Sequence, residues 1–315
     1  MWGTQEVAAF CASGRGHKLV MANKPSTSCT TAKETRMLNY STYVAPSKPA
    51  VSDDLPPGEL RRMWSPTTST LVFGERDAVL VDPLMTRSEG EELADWIAAT
   101  GKNLTTIFVS HGHGDHFFGA APVLDRFPGA RMVATPAVVE GMKKQLSPAW
   151  LDGFWRARFP GQLPDRVVVA EPLDGDTFTV EGQDLVAVDL GHTDTDGSAA
   201  LFVPSTGLLV AGDAVYDDVH LYLAESKDGG IDAWLAGLDV IEALRPRTVV
   251  AGHRPAEASD DPRWIEETRR YLRSFAAAAD QAATGPELYD AMVKQYPDRL
   301  NRGVLWNSAR AVKPS

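Results

Sequence analysis

Three histidines and an aspartate fall within one hexapeptide, His111-Gly112-His113-Gly114-Asp115-His116. A lone histidine is usually a packed or surface residue. Three imidazoles crowded beside a carboxylate have no packing role and would repel one another as cations. Neutral imidazoles and carboxylates are the donors that divalent metals take. Beyond the hexapeptide, His192, Asp213 and His253 each follow a glycine, Gly191, Gly212 and Gly252, at the end of a run with strand character. Strand ends that open into glycine-led loops are where an α/β scaffold presents ligands. Together these residues make seven donors. That is too many for one tetrahedral zinc and suits two ions sharing Asp213, since a carboxylate can bridge cations about 3.5–4 Å apart.

The elements that must position these donors can be read from periodicity and punctuation. Thr67–Phe73 and Ala78–Val81 are β-rich runs separated by Gly74-Glu75-Arg76-Asp77, which predicts a hairpin stopped by Pro83. Glu89–Thr100 reads as a helix with Leu93, Trp96 and Ile97 on one face and Gly101 just past its end. Thr105–Val109 is a short buried strand running straight into the histidine hexapeptide, followed by a helical stretch to about Arg126 and a strand at Arg131–Ala134. Residues 136–160 read as helical. Strands are expected at Val167–Val169, Thr177–Val180, Leu185–Asp189, Ala199–Val203, Leu208–Val210 and Thr248–Val250, with helices at Asp232–Ala243, from Asp261 to about Ala283, and from Pro286 to Tyr296. Strands in hairpin clusters with helices between and after them predict two sheets sandwiched by helices rather than a simple β-α alternation.

Composition bounds the function classes. The chain has 315 residues and a formal net charge of −11, from 31 basic and 42 acidic side chains. An acidic chain with no Lys/Arg cluster repels phosphate backbones, which argues against nucleic acid as a partner. No window approaches the roughly 18 uninterrupted apolar residues of a membrane span. Both cysteines, Cys11 and Cys29, lie in the first 36 residues, so the body holds neither a thiolate metal site nor a catalytic thiol. Those 36 residues carry five basic and two acidic groups, leaving the body at −14. They read as an N-terminal extension: a disordered tail, a segment ahead of a true start at Met37, or a targeting peptide. Residues 37–60, with Pro46, Pro49, Pro56 and Pro57, read as an extended approach to a single domain over 61–315, which carries an aromatic-rich insertion at 136–160 and C-terminal helices at 261–296. The expected compartment is the cytoplasm and the expected partner a small-molecule substrate, with a homodimer compatible.

The donor pattern resembles that of the metallo-β-lactamase-fold hydrolase superfamily, over roughly residues 60–260. The family pattern is an Asp after an early strand, then H-x-H-x-D-H, then His, Asp and His at later strand ends. Here these fall on Asp82, on His111, His113, Asp115 and His116, and on His192, Asp213 and His253. The resemblance implies an αβ/βα four-layer sandwich with two divalent ions at one edge, zinc by default and iron or manganese as substitutes. It implies that His111, His113 and His192 hold one ion, that Asp115, His116 and His253 hold the other, that Asp213 bridges them, and that Asp82 steadies the histidine loop. A water bridging two such ions ionises far more readily than bulk water and attacks a carbonyl or phosphoryl centre. Asp115 would orient it and return its proton.

Residues narrow the branch. Two β-lactamase subgroups place Cys where this chain has Asp213, and a third usually lacks the bridging carboxylate, so β-lactam hydrolysis is expected at most as a side reaction. Flavo-diiron proteins carry Glu at the position of His113. In motif the chain is most similar to N-acyl-homoserine lactonases and to glyoxalase II, which shares all seven ligands; the basic C-terminal helical segment that glyoxalase II adds finds no clear counterpart in residues 260–315. Tyr216, three residues past Asp213, is similar to a tyrosine of N-acyl-homoserine lactonases that faces the substrate carbonyl, where a phenol could donate to an oxyanion. Trp150, Phe154 and Trp155, with Phe159, sit near helical spacing and suggest either core packing or an apolar lid; His220 is a further candidate for the mouth. The expectation is a dinuclear hydrolase of a lactone, ester, thioester or amide with an apolar part. The alternatives are a mononuclear iron persulfide dioxygenase and a phosphodiesterase.

Overall fold

Neighbouring residues of the central strands enter two different hydrophobic clusters, and that alternation sets the layers of the computed structural model, which describes residues 37–313. The expectations for residues 1–36 lie outside the described residues. The first half supplies β1 (Asn39–Ala45), β2 (Lys48–Ala50), β3 (Arg62–Trp64), β4 (Thr67–Phe73), β5 (Asp77–Val81), α1 (Arg87–Ala99), β6 (Asn103–Phe108), α2 (Ala120–Arg126), β7 (Arg131–Ala134), α3 (Pro136–Gln145), α4 (Pro148–Trp150) and β8 (Glu171–Pro172). The second supplies β9 (Thr177–Val180), β10 (Gln183–His192), β11 (Asp196–Val203), β12 (Leu208–Val210), α5 (Gly230–Ala243), β13 (Thr248–Val250), α6 (Arg263–Gln281), α7 (Gly285–Gln295) and α8 (Arg302–Val312). One mixed sheet runs β1-β4-β5-β6-β7-β8 and the other β13-β12-β11-β10-β9. Leu208 and Val210 join the cluster that contains Leu80, Ile107 and Phe108, whereas Leu209 and Val249 join Trp234, Leu238, Leu272 and Leu288 of the later helices. A period of two delivers consecutive side chains to opposite faces. The outcome is the expected α/β layered sandwich.

The chain directions bring the donors together. β5, β6 and β7 run parallel, and so do β12 and β13. The residues that follow β5, β6, β12 and β13 are Asp82, the histidine loop, Asp213 and His253. Asp82 itself has a left-handed backbone (φ 59°). Helix α1 starts at a reciprocal cap: Thr86 accepts from the Glu89 backbone N–H while Glu89 accepts from that of Thr86, satisfying two of the orphan donors of a helix start.

Several local expectations need correction. Val167–Val169 form no strand; pairing with β7 occurs at Glu171–Pro172 instead, because only that pair comes into ladder register. The segment 136–160 is not one helix. α3 ends at Gln145, Pro148 opens α4, and Leu151–Arg156 widen into a π-helical turn. Residues 37–60, read as an approach, include β1, which pairs antiparallel with β4 along its whole length as the edge of the first sheet. Helix α8 lies beyond the last helix expected; its signal was Asn301, whose side chain caps it by accepting from Val304 N at 3.2 Å. Among the described residues no helix is long and apolar enough to cross a membrane.

The buried carboxylate of Asp217, 1 % exposed, has no hydrogen-bond partner among the described residues. Burial, helped by the neighbouring Asp218, raises its pKa to about 7 against the pull of Arg254, Arg263 and Arg299. Between the unfolded value of about 3.9 and about 7 the folded chain binds more protons than the unfolded one, so this group's contribution falls as pH rises through that window. Asp217→Asn is therefore expected to stabilise the protein, by roughly 2–3 kcal/mol more at pH 8 than at pH 5. Chemical denaturation at the two pH values checks this; a gain equal at both would remove the titration from the account.

Candidate metal centre and cleft

The histidine loop is braced from behind by Asp82. Its Oδ1 accepts from Ser110 N at 2.8 Å and its Oδ2 from Ser110 Oγ at 2.6 Å, and His116 Nδ1 lies 3.0 Å from Oδ2. Ser110 Oγ is in turn 3.0 Å from His111 Nδ1. Each ring is thus tied at Nδ1, which leaves Nε2 of His111 and His116 facing inward. Glycine is needed where the backbones close up. A Cβ on Gly112 would stand 2.7 Å from the Gly141 carbonyl carbon, and one on Gly252 would stand 2.1 Å from Asp213 Oδ1.

The second half brings the other donors. His253 Nδ1 lies 2.7 Å from the carbonyl of Pro66, and its Nε2 stands 3.1 Å from Asp213 Oδ2 and 3.5 Å from Asp115 Oδ2. Asp213 Oδ1 is 3.2 Å from His116 Nε2, and its Oδ2 is 4.0 Å from His111 Nε2. Asp213 therefore stands between the two halves of the cluster. His192 does not join it. Its Nδ1 lies 2.7 Å from Asp196 Oδ1 and its Nε2 3.3 Å from Ser226 Oγ. The acid two residues on, Asp194, which sequence reading passed over, stands with its Oδ2 2.8 Å from His113 Nδ1 and 3.6 Å from His111 Nε2. Glu225, also passed over, lies 3.3 Å from His113 Nε2 and accepts from Thr195 Oγ1 at 2.8 Å.

Two trios have ligand atoms close enough to share an ion, His111–His113–Asp194 and Asp115–His116–His253; Asp82, His111 and His116 form a third such grouping. Their chemistry fits divalent ions. His111 Nε2, His116 Nε2, Asp194 Oδ2 and Asp213 Oδ1 are all buried, and none completes a hydrogen bond of proper geometry. Buried polar atoms are almost always paired; these four stand as two facing couples, His111 Nε2 with Asp194 Oδ2 at 3.6 Å and His116 Nε2 with Asp213 Oδ1 at 3.2 Å, which indicates missing partners. The charges agree. Burial and the neighbouring His116 hold His111 well below its ordinary pKa. Burial opposes charge on His113, but Asp194 and Glu225 outweigh it and raise its pKa. Burial likewise opposes charge on Asp213, yet His253 and His116 keep it well below the carboxylate range. Such a cluster exchanges protons for a metal.

An aromatic cleft opens onto the cluster, lined by Asp115, Asp194, Asp213 and His253. Its walls include Trp64, Trp150, Phe154 and Trp155, with Asn301, Val304 and Asn307 from around α8. Trp64 from β3 is a wall residue that the sequence did not announce; its Nε1 donates to Asp115 Oδ2 at 3.0 Å. Trp150 and Phe154 are half-buried, but Trp155 is 2 % exposed and donates to Gln145 Oε1, so it belongs to the core and wall at once. Tyr216 lines the cleft with its hydroxyl donated to Asp213 Oδ2 at 2.6 Å. Tyr222 also lines it, edge-on to His113 with ring centroids 5.4 Å apart. His220, expected at the mouth, is instead fully buried with its Nδ1 2.8 Å from Tyr271 Oη; burial drives its pKa down to about 3, so it is a neutral core residue.

Comparison with known proteins gives a consistent picture. A sequence model described as the metallo-beta-lactamase superfamily matches residues 62–253. A metallo-beta-lactamase type 2 of Bacteroides fragilis is 24 % identical over 213 residues, covering 67 % of this chain and 76 % of that protein. A hydroxyacylglutathione hydrolase of Synechococcus sp. (strain JA-3-3Ab) is 30 % identical over 140 residues, 44 % of each chain, so this chain spans under half of that relative's length. Among solved structures, a metallo-beta-lactamase family protein from Thermus thermophilus superposes with a TM-score of 0.58 at 22 % identity, covering 86 % of this chain and 91 % of that one.

Proposed function

This chain belongs to the metallo-beta-lactamase superfamily, and on that footing we propose that it is a dinuclear metal hydrolase of a small, partly apolar substrate with a carboxyl-type bond: a lactone, ester, thioester or amide. The observation that carries the reading is the gathering of four buried ligand atoms without hydrogen bonds, on His111, His116, Asp194 and Asp213, beside an aromatic cleft lined by the two aspartates. The hydroxyacylglutathione hydrolase relative supports the hydrolytic class. Two bound divalent ions would supply a water acidic near neutral pH, about 7 for zinc-bound water against 15.7 in bulk, together with polarisation of a carbonyl oxygen.

The protein's own groups do the rest. Asp115, fixed by Trp64 Nε1, presents a carboxylate at the cleft floor, suited to orienting the attacking water and passing its proton to the leaving group. The tryptophan and phenylalanine wall excludes water and takes the apolar part of the substrate. Phe154→Ala is expected to raise KM several-fold more for a long-acyl substrate than for a short one. Trp155 is too deeply packed for such a test. Equal effects on both substrates would return Phe154 to a packing role.

Tyr216 has its proton committed to Asp213, so we assign it to holding that carboxylate rather than to the substrate oxyanion. Tyr216→Phe is expected to weaken metal binding about 10–100-fold, the range for loss of a partner that orients a ligand, while kcat at saturating metal stays near that of the parent. A tenfold fall in kcat at full metal occupancy would restore the oxyanion role.

The reading as a whole is tested by counting metal on protein purified without added metal and assaying a homoserine lactone, a glutathione thioester, a β-lactam and a phosphodiester. Two ions per chain with turnover of a carboxyl substrate is the expected result. One iron per chain with oxygen uptake and no hydrolysis would overturn it, and so would preference for the phosphodiester.

A further inference from the structure

His192 and Asp194 compete for one place in the cluster, and the backbone decides between them. β10 and β11 lose register twice, between Asp189 and Gly191 and again between Gly191 and His192, and Gly191 takes a left-handed φ of 67°. Such a bulge re-aims the side chains that follow it, because side-chain direction alternates residue by residue along a strand. Thr193 N then donates to Thr195 O at 3.0 Å, closing a tight turn around Asp194. Thr193 Oγ1 donates to Asp194 Oδ1 at 3.0 Å, which leaves Oδ2 for the histidines.

We propose that the first metal position of this protein is held by His111, His113 and Asp194, with His192 outside it, so that both positions carry two imidazoles and a carboxylate and share Asp213. The inference rests on the reading that the cluster binds metal. Asp194 is fully buried, and its Oδ2 is one of the orphaned atoms. Donors to one ion at about 2.0–2.2 Å lie within about 4.4 Å of one another. The separations of 2.8 and 3.6 Å from Asp194 to His113 and His111 meet that limit. His192 has both ring nitrogens engaged, by Asp196 and Ser226, and abuts the start of α5 so closely that a Cβ on Gly230 would stand 2.8 Å from its Nε2. To ligate, it would have to break both contacts.

The exchange has a chemical consequence. A carboxylate oxygen is a harder donor than an imidazole nitrogen, and carboxylate-rich sites suit manganese where imidazole suits zinc. Three carboxylates, Asp115, Asp194 and Asp213, then face two divalent charges. The first position should accept manganese or ferrous iron more readily than a three-histidine position would.

The test loads the full chain with cobalt(II), then counts ions by elemental analysis and follows the visible absorption of the bound metal. His192→Ala is expected to keep two ions and the parent spectrum. Asp194→Ala is expected to keep one, with affinity at the lost position down at least 100-fold; Asp194→Asn serves if the alanine variant fails to fold. Asp194→His is expected to hold two ions and to shift preference from manganese toward zinc by at least 10-fold. Loss of an ion in His192→Ala, alone or together with Asp194→Ala, overturns the proposal. A parent chain that binds no cobalt overturns the metal reading itself, which separates the two failures.

Discussion

Asp213→Asn is expected to abolish useful turnover, lowering kcat/KM by roughly 10³-fold or more, or about 4 kcal/mol of transition-state stabilisation. Asparagine keeps the shape of the side chain and so the packing. What it removes is the charge and one acceptor oxygen, and Asp213 is where the two donor trios meet. Its oxygens lie 3.2 Å from His116 Nε2, 3.1 Å from His253 Nε2 and 2.6 Å from Tyr216 Oη. A neutral amide presents an NH₂ group to at least one of these, and a bridging carboxylate is the group that holds two cations at close range. Metal content should fall to one ion or fewer, with far-UV circular dichroism unchanged. A variant that kept two ions and most of its activity would remove Asp213 from the bridging position and with it the dinuclear mechanism.

Stripping the two proposed ions should have the largest effect on stability. Ions that bind only the folded chain stabilise it by RT ln(1 + [L]/Kd), about 4 kcal/mol for each site at a thousandfold excess over Kd. Two sites then contribute on the order of 8 kcal/mol, which for a chain of this size lowers Tm by about 10 °C or more when they are emptied. The emptied cluster regains only part of this, by pairing His113 with Asp194 and His116 and His253 with Asp213, while His111 Nε2 stays buried without a hydrogen bond. Scanning calorimetry with and without chelator, followed by metal re-addition, measures the difference. A change of less than about 2 °C would mean that the folded protein does not depend on a filled site.

The histidine loop was legible because its chemistry is local. Three imidazoles and a carboxylate in six residues serve no packing purpose and together make a metal-ligand set, and β6 runs into them directly. The strand-end donors Asp213 and His253 were legible for a related reason: an apolar run ending in glycine and a donor is a short-range pattern, and parallel pairing of β12 with β13 puts both ends at one edge. His192 shows where that logic stops. It has the same glycine before it and the same strand behind it, but a bulge turns it outward and brings Asp194 inward. A one-residue change of direction has no signature in composition or spacing.

The support of the last histidine was hidden as well. His253 is oriented by the carbonyl of Pro66, and its loop is tied to β1 through Tyr40 Oη to Asp260 at 2.8 Å and Arg254 to Thr42 at 2.8 Å. The proline-marked residues 37–60 gave no hint that the strand at their start would anchor a donor about two hundred residues away. Trp64 and α8 entered the cleft by the same kind of long-range contact: Arg62 Nη2 donates to Gly303 O at 2.6 Å and Trp306 Nε1 to Asp54 Oδ1 at 2.9 Å.

The sequence by itself therefore determined the layered α/β architecture and most of the side chains that the fold gathers in one cluster, because residue type, local spacing and strand periodicity express these directly. The tertiary structure alone decided which of His192 and Asp194 joins the cluster, which aromatics wall the cleft and which segments hold the clustered side chains still. Those outcomes depend on strand register and on contacts between residues far apart in the chain, where the free energy lies in the pairing and neither partner announces it.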